Sequence, residues 1–265
     1  MNTYKYLQPE RISFLTDGLL RCTQPDALND PLECLPVLSI EDTRQVLETV
    51  FSEQEAAILD DILNEGLPRR ADWEFLQQRK AELKSNPGKF RDLFFQQARQ
   101  KLNASIGVLC LSKRWDSGLM WAHYAASHTG FCVGFHRNHP FFRGDGQQQP
   151  GLREVRYSEQ RIKVSLERGR AIDIDVMFTK SPDWQYEQEE RMLFELKDAT
   201  KVLDTIPYKI HLFQVPTDAI SEVIIGSRAD NPVAEQVLKF CLAHGLNAFR
   251  AQFSDSGVEM LRVAA

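Results

Sequence analysis

The strongest constraint in this sequence is a change of hydrophobic period. Between residues 39 and 103 the apolar side chains recur every three or four positions: Val46, Leu47, Val50 and Phe51, then Ile58, Leu59, Ile62 and Leu63, then Phe90, Phe94, Ala98 and Leu102. That spacing belongs to amphipathic helices. The breakers "GLPRRAD" and "SNPGK" divide the stretch into pieces. On either side the apolar runs shorten and become strand-like. "TYKYLQ" and "LLRCTQP" come first, with "PERISFLTDG" between them as a helix closed by Gly18. "IGVLCLS", "GFCVGF", "LREVRYS", "AIDIDVMF", "KIHLFQVP", "ISEVIIGS", "NAFRAQFS" and "EMLRVA" follow as strands. Two helices interrupt them. One lies in "DSGLMWAHYAASHTG", capped by Ser117, stopped by Gly130 and about three turns long. The other opens with Asn231 as cap and Pro232 as first residue, buries Val233, Val237 and Cys241, and ends at Gly245. Most strand pairs lack a crossover helix, so the expectation is an α+β protein with a largely antiparallel mixed sheet. It is expected to form one domain over residues 1–265, with residues 39–103 as a helical insertion after the first strands.

Composition removes several function classes. No apolar run approaches the roughly 20 residues of a membrane helix, and "MNTYKYLQPERISF" is unlike a signal peptide. The five cysteines are odd in number and scattered, which favours reduced thiols and a cytoplasmic location over a disulfide framework. A net charge of −5 disfavours gripping nucleic acid through its phosphates alone, although a local basic groove would escape that argument. No metal is expected: His123 and His128 are five apart, and His136 and His139 have no third ligand nearby. Phosphate-loop, dinucleotide-binding, nucleophile-elbow and zinc-protease motifs are all absent.

Three stretches carry polar residues of chemical interest. In "SPDWQYEQEERML", Glu187, Glu189 and Glu190 follow Trp184 and Tyr186, with Arg191 behind them. Carboxylates so close raise one another's pKa unless a cation offsets them. They form either a solvated face pinned by the aromatic pair, or a cluster that converges on positive charge or a ligand. In a strand, Glu187, Glu189 and Arg191 share one face; in a helix, Glu187 and Arg191 form an i,i+4 pair. In "LMWAHYAASH", Met120, His123 and Tyr124 face one way and Trp121, Ala125 and His128 another. These aromatics either stack on a planar ring or pack against the sheet. In "LNDPLE", Asn29 and Asp30 either hold a ligand or cap their own turn. Arg21 and Lys5 are candidate anion contacts on the two opening strands.

"LNDPLE", "VLCLS…LMWAHYAASHTGFCVGF", "FTKSPDWQYEQEER" and "VIIGS" together resemble a widespread bacterial family known as a domain of unknown function. The blocks at 119–135 and 178–191 carry most of that resemblance, and the helical insertion carries none. More distantly, the order of elements is similar to that of ADP-ribosyltransferases. In that superfamily an early basic residue or histidine contacts NAD, a Ser or Tyr lies beside the nicotinamide, an aromatic stacks on it, and a late glutamate carries catalysis. The resemblance implies Ser112 and Tyr124 for the middle element; Trp121, His123 and Trp184 are further candidate contacts on the strength of their side chains alone. Glu187 and Glu189 match the late element; Lys5 or Arg21 stands where a clear Arg or His would be expected. It further implies NAD as co-substrate, Glu189 facing the ribosyl cation, Glu187 on the acceptor, and Arg191 keeping both ionised. A protein or nucleic-acid acceptor would complete the reaction. Two alternatives stand beside it. One is a non-catalytic binding module acting through the helical insertion. The other is a carboxylate and histidine hydrolase, with His123, acting on nucleotides or nucleic acid.

Overall fold

The computed structural model describes residues 1–30, 32–37, 40–65, 70–144, 151–163, 174–255 and 259–265. Pro31, residues 66–69 of the first breaker, the side chains of Ile62 and Leu63, and residues 171–173 lie outside the described residues. The chain divides into two compact units. One comprises Cys34–Leu102 and Gln160–Met177, and the other Met1–Glu33, Asn103–Glu159 and Phe178–Ala265.

The first of these is helical. It contains α1 (Ile40–Glu65), α2 (Arg70–Ser85) and most of α3 (Pro87–Ser105). Part of the expected stripe forms its core: Val46, Leu47 and Phe51 of α1 and Phe90 of α3 are buried with Leu76 and Leu83 of α2, which the spacing did not single out, whereas Leu59 is exposed. Outside that core, Lys80 bridges α2 to Glu55 of α1 at 2.9 Å.

The other unit is built on a sheet. Its strands are β1 (Asn2–Leu7), β2 (Leu19–Cys22), β3 (Ile106–Ser112), β4 (Phe131–His136), β5 (Arg153–Glu154), β6 (Arg156–Tyr157), β7 (Thr179–Lys180), β8 (Glu189–Glu195), β9 (Lys201–Leu203), β10 (Ile210–Gln214), β11 (Ile220–Ile225), β12 (Asn247–Phe253) and β13 (Met260–Ala264). Eight form one sheet in the order β13-β12-β11-β4-β1-β3-β8-β5. Every neighbouring pair in it is antiparallel except β11 and β12, which run parallel. The α+β expectation with a largely antiparallel mixed sheet therefore holds. A crossover helix, α5 (Asn231–His244), joins the parallel pair. β2, β10 and β9 form a smaller sheet, and β6 pairs with β7.

Alternation along the strands assigns the two faces. Phe131, Val133 and Phe135 of β4 join Met192 and Phe194 of β8 and the inner residues of α5 in one core. Cys132 of β4 and Tyr4 and Tyr6 of β1 point the other way, against Met120 and Trp121 of α4 (Gly118–Tyr124) and Ala125, which caps it. Each large side chain so buried contributes about 1.5–3 kcal/mol. Trp121 is fully buried and donates its indole N–H to the Trp115 carbonyl at 2.7 Å.

Several expectations need correction. The helix after Ser117 ends at Tyr124, two turns rather than three, because Ala126, Ser127 and His128 all take positive φ and no helix continues through them. Gly130 instead marks a close approach: a Cβ there would lie 2.0 Å from the Leu7 carbonyl oxygen. Residues 174–178, expected as strand, form a 3-10 turn. The cap of α5 is Asp230, which accepts the Val233 N–H at 3.1 Å, so Asn231 is already helical. "LREVRYS" makes two short strands rather than one.

Candidate functional site

The site forms where four segments of the sheet unit meet. Ser181–Pro182 opens a 3-10 turn, Pro182–Glu187, and Gln188 then takes a left-handed conformation at φ 43° that redirects the chain into β8. The segment is thus partly helical and partly strand. Glu187 closes the helical part, and Glu189 and Arg191 share one face of β8 while Glu190 takes the other. Ser112, at the end of β3, pairs in register with Glu189 and donates its hydroxyl to the Glu187 carbonyl at 2.6 Å. The Tyr157 hydroxyl of β6 accepts the Glu189 N–H at 2.8 Å. These two contacts fix the backbone on both sides of the bend.

None of the three glutamates is solvated. Glu187, Glu189 and Glu190 are all buried, which overturns the charged-outer-face alternative. Glu190 turns to the opposite face and is held by Arg137 at 2.6 Å. Glu187 and Glu189 join a buried charge cluster with Glu33, Lys180 and Arg191. Arg191 grips Glu189 with two parallel bonds, Nε to Oε1 at 2.8 Å and Nη2 to Oε2 at 2.9 Å, and Nη2 also donates to Glu33. Lys180 lies 2.7 Å from Glu187, 3.4 Å from Glu33 and 3.5 Å from Glu189. Its ammonium also sits 4.4 Å above the Trp184 ring. Tyr124 donates to Glu187 Oε1 at 2.5 Å and accepts from Asn29 Nδ2 at 2.6 Å.

The two cavity glutamates have opposite electrostatic fates. Burial alone would raise Glu189, but Arg191 first and Lys180 second outweigh it and hold its carboxyl at about 2. Burial also raises Glu187; there the neighbouring Glu189 adds to the rise, and Lys180 and Tyr124 only partly offset it, so its pKa stays above the ordinary glutamate value. Glu189 is therefore a fixed anion, whereas Glu187 is the group poised to exchange a proton. Lys180 is held firmly protonated: burial opposes its charge, and Glu189, Glu33 and Glu187 more than compensate. Tyr124 is raised by burial and by Glu187, which keeps its proton on the phenol.

Beside this cluster lies a cavity of about 220 Å³. Tyr4, Tyr6, Tyr124 and Met120 supply its apolar and aromatic walls, and Asn29 lies on its lining with Ser112, Glu187, Glu189 and Arg191. Six of the residues singled out from sequence thus converge: Glu187, Glu189, Tyr124, Ser112, Asn29 and Arg191. Lys5 joins them, donating to the Cys110 carbonyl at 2.8 Å and making no ion pair among the described residues. Trp121, His123, Trp184 and Arg21 do not line this cavity. Trp121 belongs to the core, stacked on His128 and edge-on to Tyr6. His123 is exposed, with Tyr124 and Tyr186 as its ring neighbours. Trp184 acts through Lys180, and Arg21 sits in the β2–β10 pairing opposite Leu212.

Sequence reasoning missed Lys180 and Glu33, although both stand inside quoted blocks. The available signal was charge arithmetic: three glutamates and one arginine in "EQEER" require a further cation if they are buried, and "TKSPDW" offers one. Among the described residues no group of His, Cys, Asp and Glu is arranged to hold a metal ion, and no helix is long and apolar enough to cross a membrane.

Comparison with known proteins bears on this same region. No curated protein matches the chain. No solved structure matches it either. A family model described as "Protein of unknown function (DUF2971)" matches residues 120–192, a segment that carries Met120, Tyr124, Lys180, Glu187, Glu189 and Arg191 of the site and supports similarity to an uncharacterised domain family there.

Proposed function

We propose that the cavity is the active site of an enzyme that breaks the N-glycosidic bond of NAD, as an ADP-ribosyltransferase or NAD glycohydrolase, with Glu187 as the working carboxylate. One observation carries this reading: Glu187, its charge poised, shares a cavity wall with Tyr124 and with the fixed anion Glu189. A cavity of about 220 Å³ is a little larger than the roughly 150 Å³ that holds a benzene ring. It suits one ring with its substituents, such as nicotinamide or the attached ribose, and leaves the rest of a dinucleotide outside.

The chemistry follows from the charges. The ring-nitrogen to sugar-carbon bond breaks with its electron pair moving to the ring, which leaves as neutral nicotinamide. Positive charge develops on the sugar, as in glycoside cleavage. The acceptor oxygen, from water or from a macromolecule, bonds to that carbon and gives its proton to Glu187. This changes the division of labour expected from sequence. Arg191 neutralises Glu189, so Glu189 is the weaker partner for a sugar cation and serves to hold Arg191 and to raise Glu187. Glu187 takes both the cation-facing and the acceptor role. His123 is exposed and neighbours Tyr124 without lining the cavity itself, so it has no part in the step. A cytoplasmic place of action goes with the proposal, since NAD is the co-substrate.

The test is incubation with NAD labelled in the nicotinamide ring, alone and with nucleic acid or lysate proteins. Nicotinamide release that disappears in Glu187→Gln supports the reading. No release in any mixture, together with no NAD-dependent thermal shift, refutes it.

A second reading is favoured by a specific observation: each carboxylate oxygen of Glu187 and Glu189 already has a donor from Tyr124, Lys180 or Arg191. The same network could simply pin the bend at Gln188 in a binding module. Glu187→Gln would then lower stability and remove no catalytic activity.

A further inference from the structure

Glu33 is the last residue of the sheet unit before the chain passes into the helical unit at Cys34. Its side chain is fully buried, yet it does not line the cavity. The turn that carries it is internally fixed. The Glu33 N–H donates to the Asp30 carbonyl at 3.2 Å, the Asp30 N–H to Glu33 Oε1 at 3.3 Å, and the Leu32 N–H to Asp30 Oδ1 at 2.8 Å. From this position one carboxylate meets both cations of the cluster, Lys180 through Oε1 and Arg191 through Oε2. Asn29, four residues earlier, holds the Tyr124 hydroxyl. The two side chains that donate to Glu187, Tyr124 on Oε1 and Lys180 on Oε2, are therefore both held by this single turn.

We propose that Glu33 is a positioning residue for Glu187: by sharing Lys180 and Arg191 with the two cavity glutamates, it sets how much positive charge reaches Glu187 and hence the pH at which Glu187 changes protonation. The inference rests on Glu187 as the working group, and not on the identity of the substrate.

The groups that face Glu187 fix the sign. Lys180 approaches from β7, Tyr124 from α4, Tyr157 from β6, Glu189 from β8, and Tyr186 from its own helical turn. Arg191 of β8 acts through Glu189. With Glu33 present, three carboxylates share two cations, a formal charge of −1. Without it, two share two, and the ionised form of Glu187 is favoured. Glu33→Gln keeps the shape of the side chain and removes its charge. Glu33→Asp keeps the charge.

The experiment is a carboxyl-carbon NMR titration of the full chain with labelled glutamate, in which the Glu187 signal is assigned from Glu187→Gln. Glu33→Gln is expected to lower the Glu187 midpoint by about one pH unit, while Glu33→Asp leaves it within a few tenths. An unchanged midpoint in Glu33→Gln, or equal movement in both variants, overturns the proposal, because a purely structural role for the turn does not distinguish charge from shape in that direction. Should Glu33→Gln fail to fold, the double variant Glu33→Gln, Lys180→Gln restores the formal charge of −1. Compared with Lys180→Gln alone, Glu187 is expected to titrate at lower pH in the double variant, and an equal or higher midpoint there also overturns the proposal. The titration is independent of NAD, so a chain inert to NAD that still gives the expected shift removes the substrate and keeps the positioning role.

Discussion

Replacing Glu189 with glutamine is the sharpest probe of the cluster, because its consequence can be worked out as a function of pH. The substitution keeps the volume and removes the charge that Arg191 grips with two bonds. A glutamate ordinarily titrates near 4.5, and this one is held at about 2. At roughly 1.4 kcal/mol per pH unit, that difference corresponds to about 3 kcal/mol of stability at neutral pH. The general range for breaking a buried ion pair, about 3–5 kcal/mol, has the same size. Because the folded pKa is depressed, the contribution is complete above pH 4.5 and is lost as pH falls towards 2. Glu187 works the other way: Glu189 helps to raise its pKa, so the variant also relieves part of that cost at neutral pH, which makes about 3 kcal/mol the upper figure for the gap.

Glu189→Gln should therefore be less stable than the parent by up to about 3 kcal/mol at pH 7, with the gap narrowing below pH 4.5 and nearly closing near pH 2. Urea unfolding at pH 7, 4 and 3 measures it. Two compact units need not unfold together, so the probe must report on one of them. Trp115, Trp121 and Trp184 belong to the sheet unit and Trp73 to the helical one, so tryptophan emission in a Trp73→Phe background follows the unit that holds the cluster. A gap under about 1 kcal/mol at pH 7, or one that persists unchanged at pH 3, would refute the reasoning.

Three further outcomes are expected. Tyr124→Phe removes the phenol that supports the ionised form of Glu187, so the Glu187 midpoint should rise by about one pH unit and nicotinamide release should shift to higher pH, both read by titration. Trp121→Phe leaves the Trp115 carbonyl without its donor and should destabilise the sheet unit by about 1–3 kcal/mol in thermal unfolding, while NAD-dependent thermal shift is unaffected because Trp121 does not line the cavity. Gly130→Ala places a methyl group against the Leu7 carbonyl, where only backbone movement can make room, and should cost at least about 1–3 kcal/mol by the same measurement.

Much of the fold was legible because period survives in single sequences. The strands β1, β3, β4, β11 and β12 and the helices α3 and α5 follow directly from apolar spacing, with Gly245 as the stop of α5; Gly18 closes only a short helix, Phe14–Asp17, because "PERISFLTDG" splits into a 3-10 turn and that helix. The misreadings have local causes. In "AIDIDVMF" the alternation of apolar and acidic residues imitates a strand, but the described part closes as a 3-10 turn. After Tyr124 the continuing run "AASH" looks helical, but three successive positive φ values end the helix, and composition gives no sign of them. The cluster was half legible. Glu187, Glu189 and Arg191 stand two residues apart and announce themselves, whereas Glu33 reaches Arg191 across 158 residues of chain, which no local spacing can reveal. Lys180 lay between these cases, since a count of buried charge would have called for it.

Stability alone gives no reason to keep such a cluster. Each buried ion carries a desolvation penalty of several kcal/mol, and well-packed apolar side chains of similar volume often hold a fold as well or better. β8 itself takes apolar residues readily: Met192, Leu193 and Phe194 are all buried further along the same strand. The buried charges are confined to its first three residues, two of which, Glu189 and Arg191, line the cavity, while Glu195 at its far end is exposed. Where they occur thus follows the cavity rather than the core. The consequence can be measured with the paired substitution Glu189→Leu, Arg191→Met, which removes one charge of each sign and leaves Glu33, Lys180 and Glu187 to balance among themselves. If the pair serves a ligand, this variant should match the parent or exceed it by up to about 4 kcal/mol in unfolding at pH 7, while losing all NAD-dependent thermal shift. A variant that loses 3 kcal/mol or more, as when a single partner is removed, would mean that the pair holds the fold and that the cavity is its by-product.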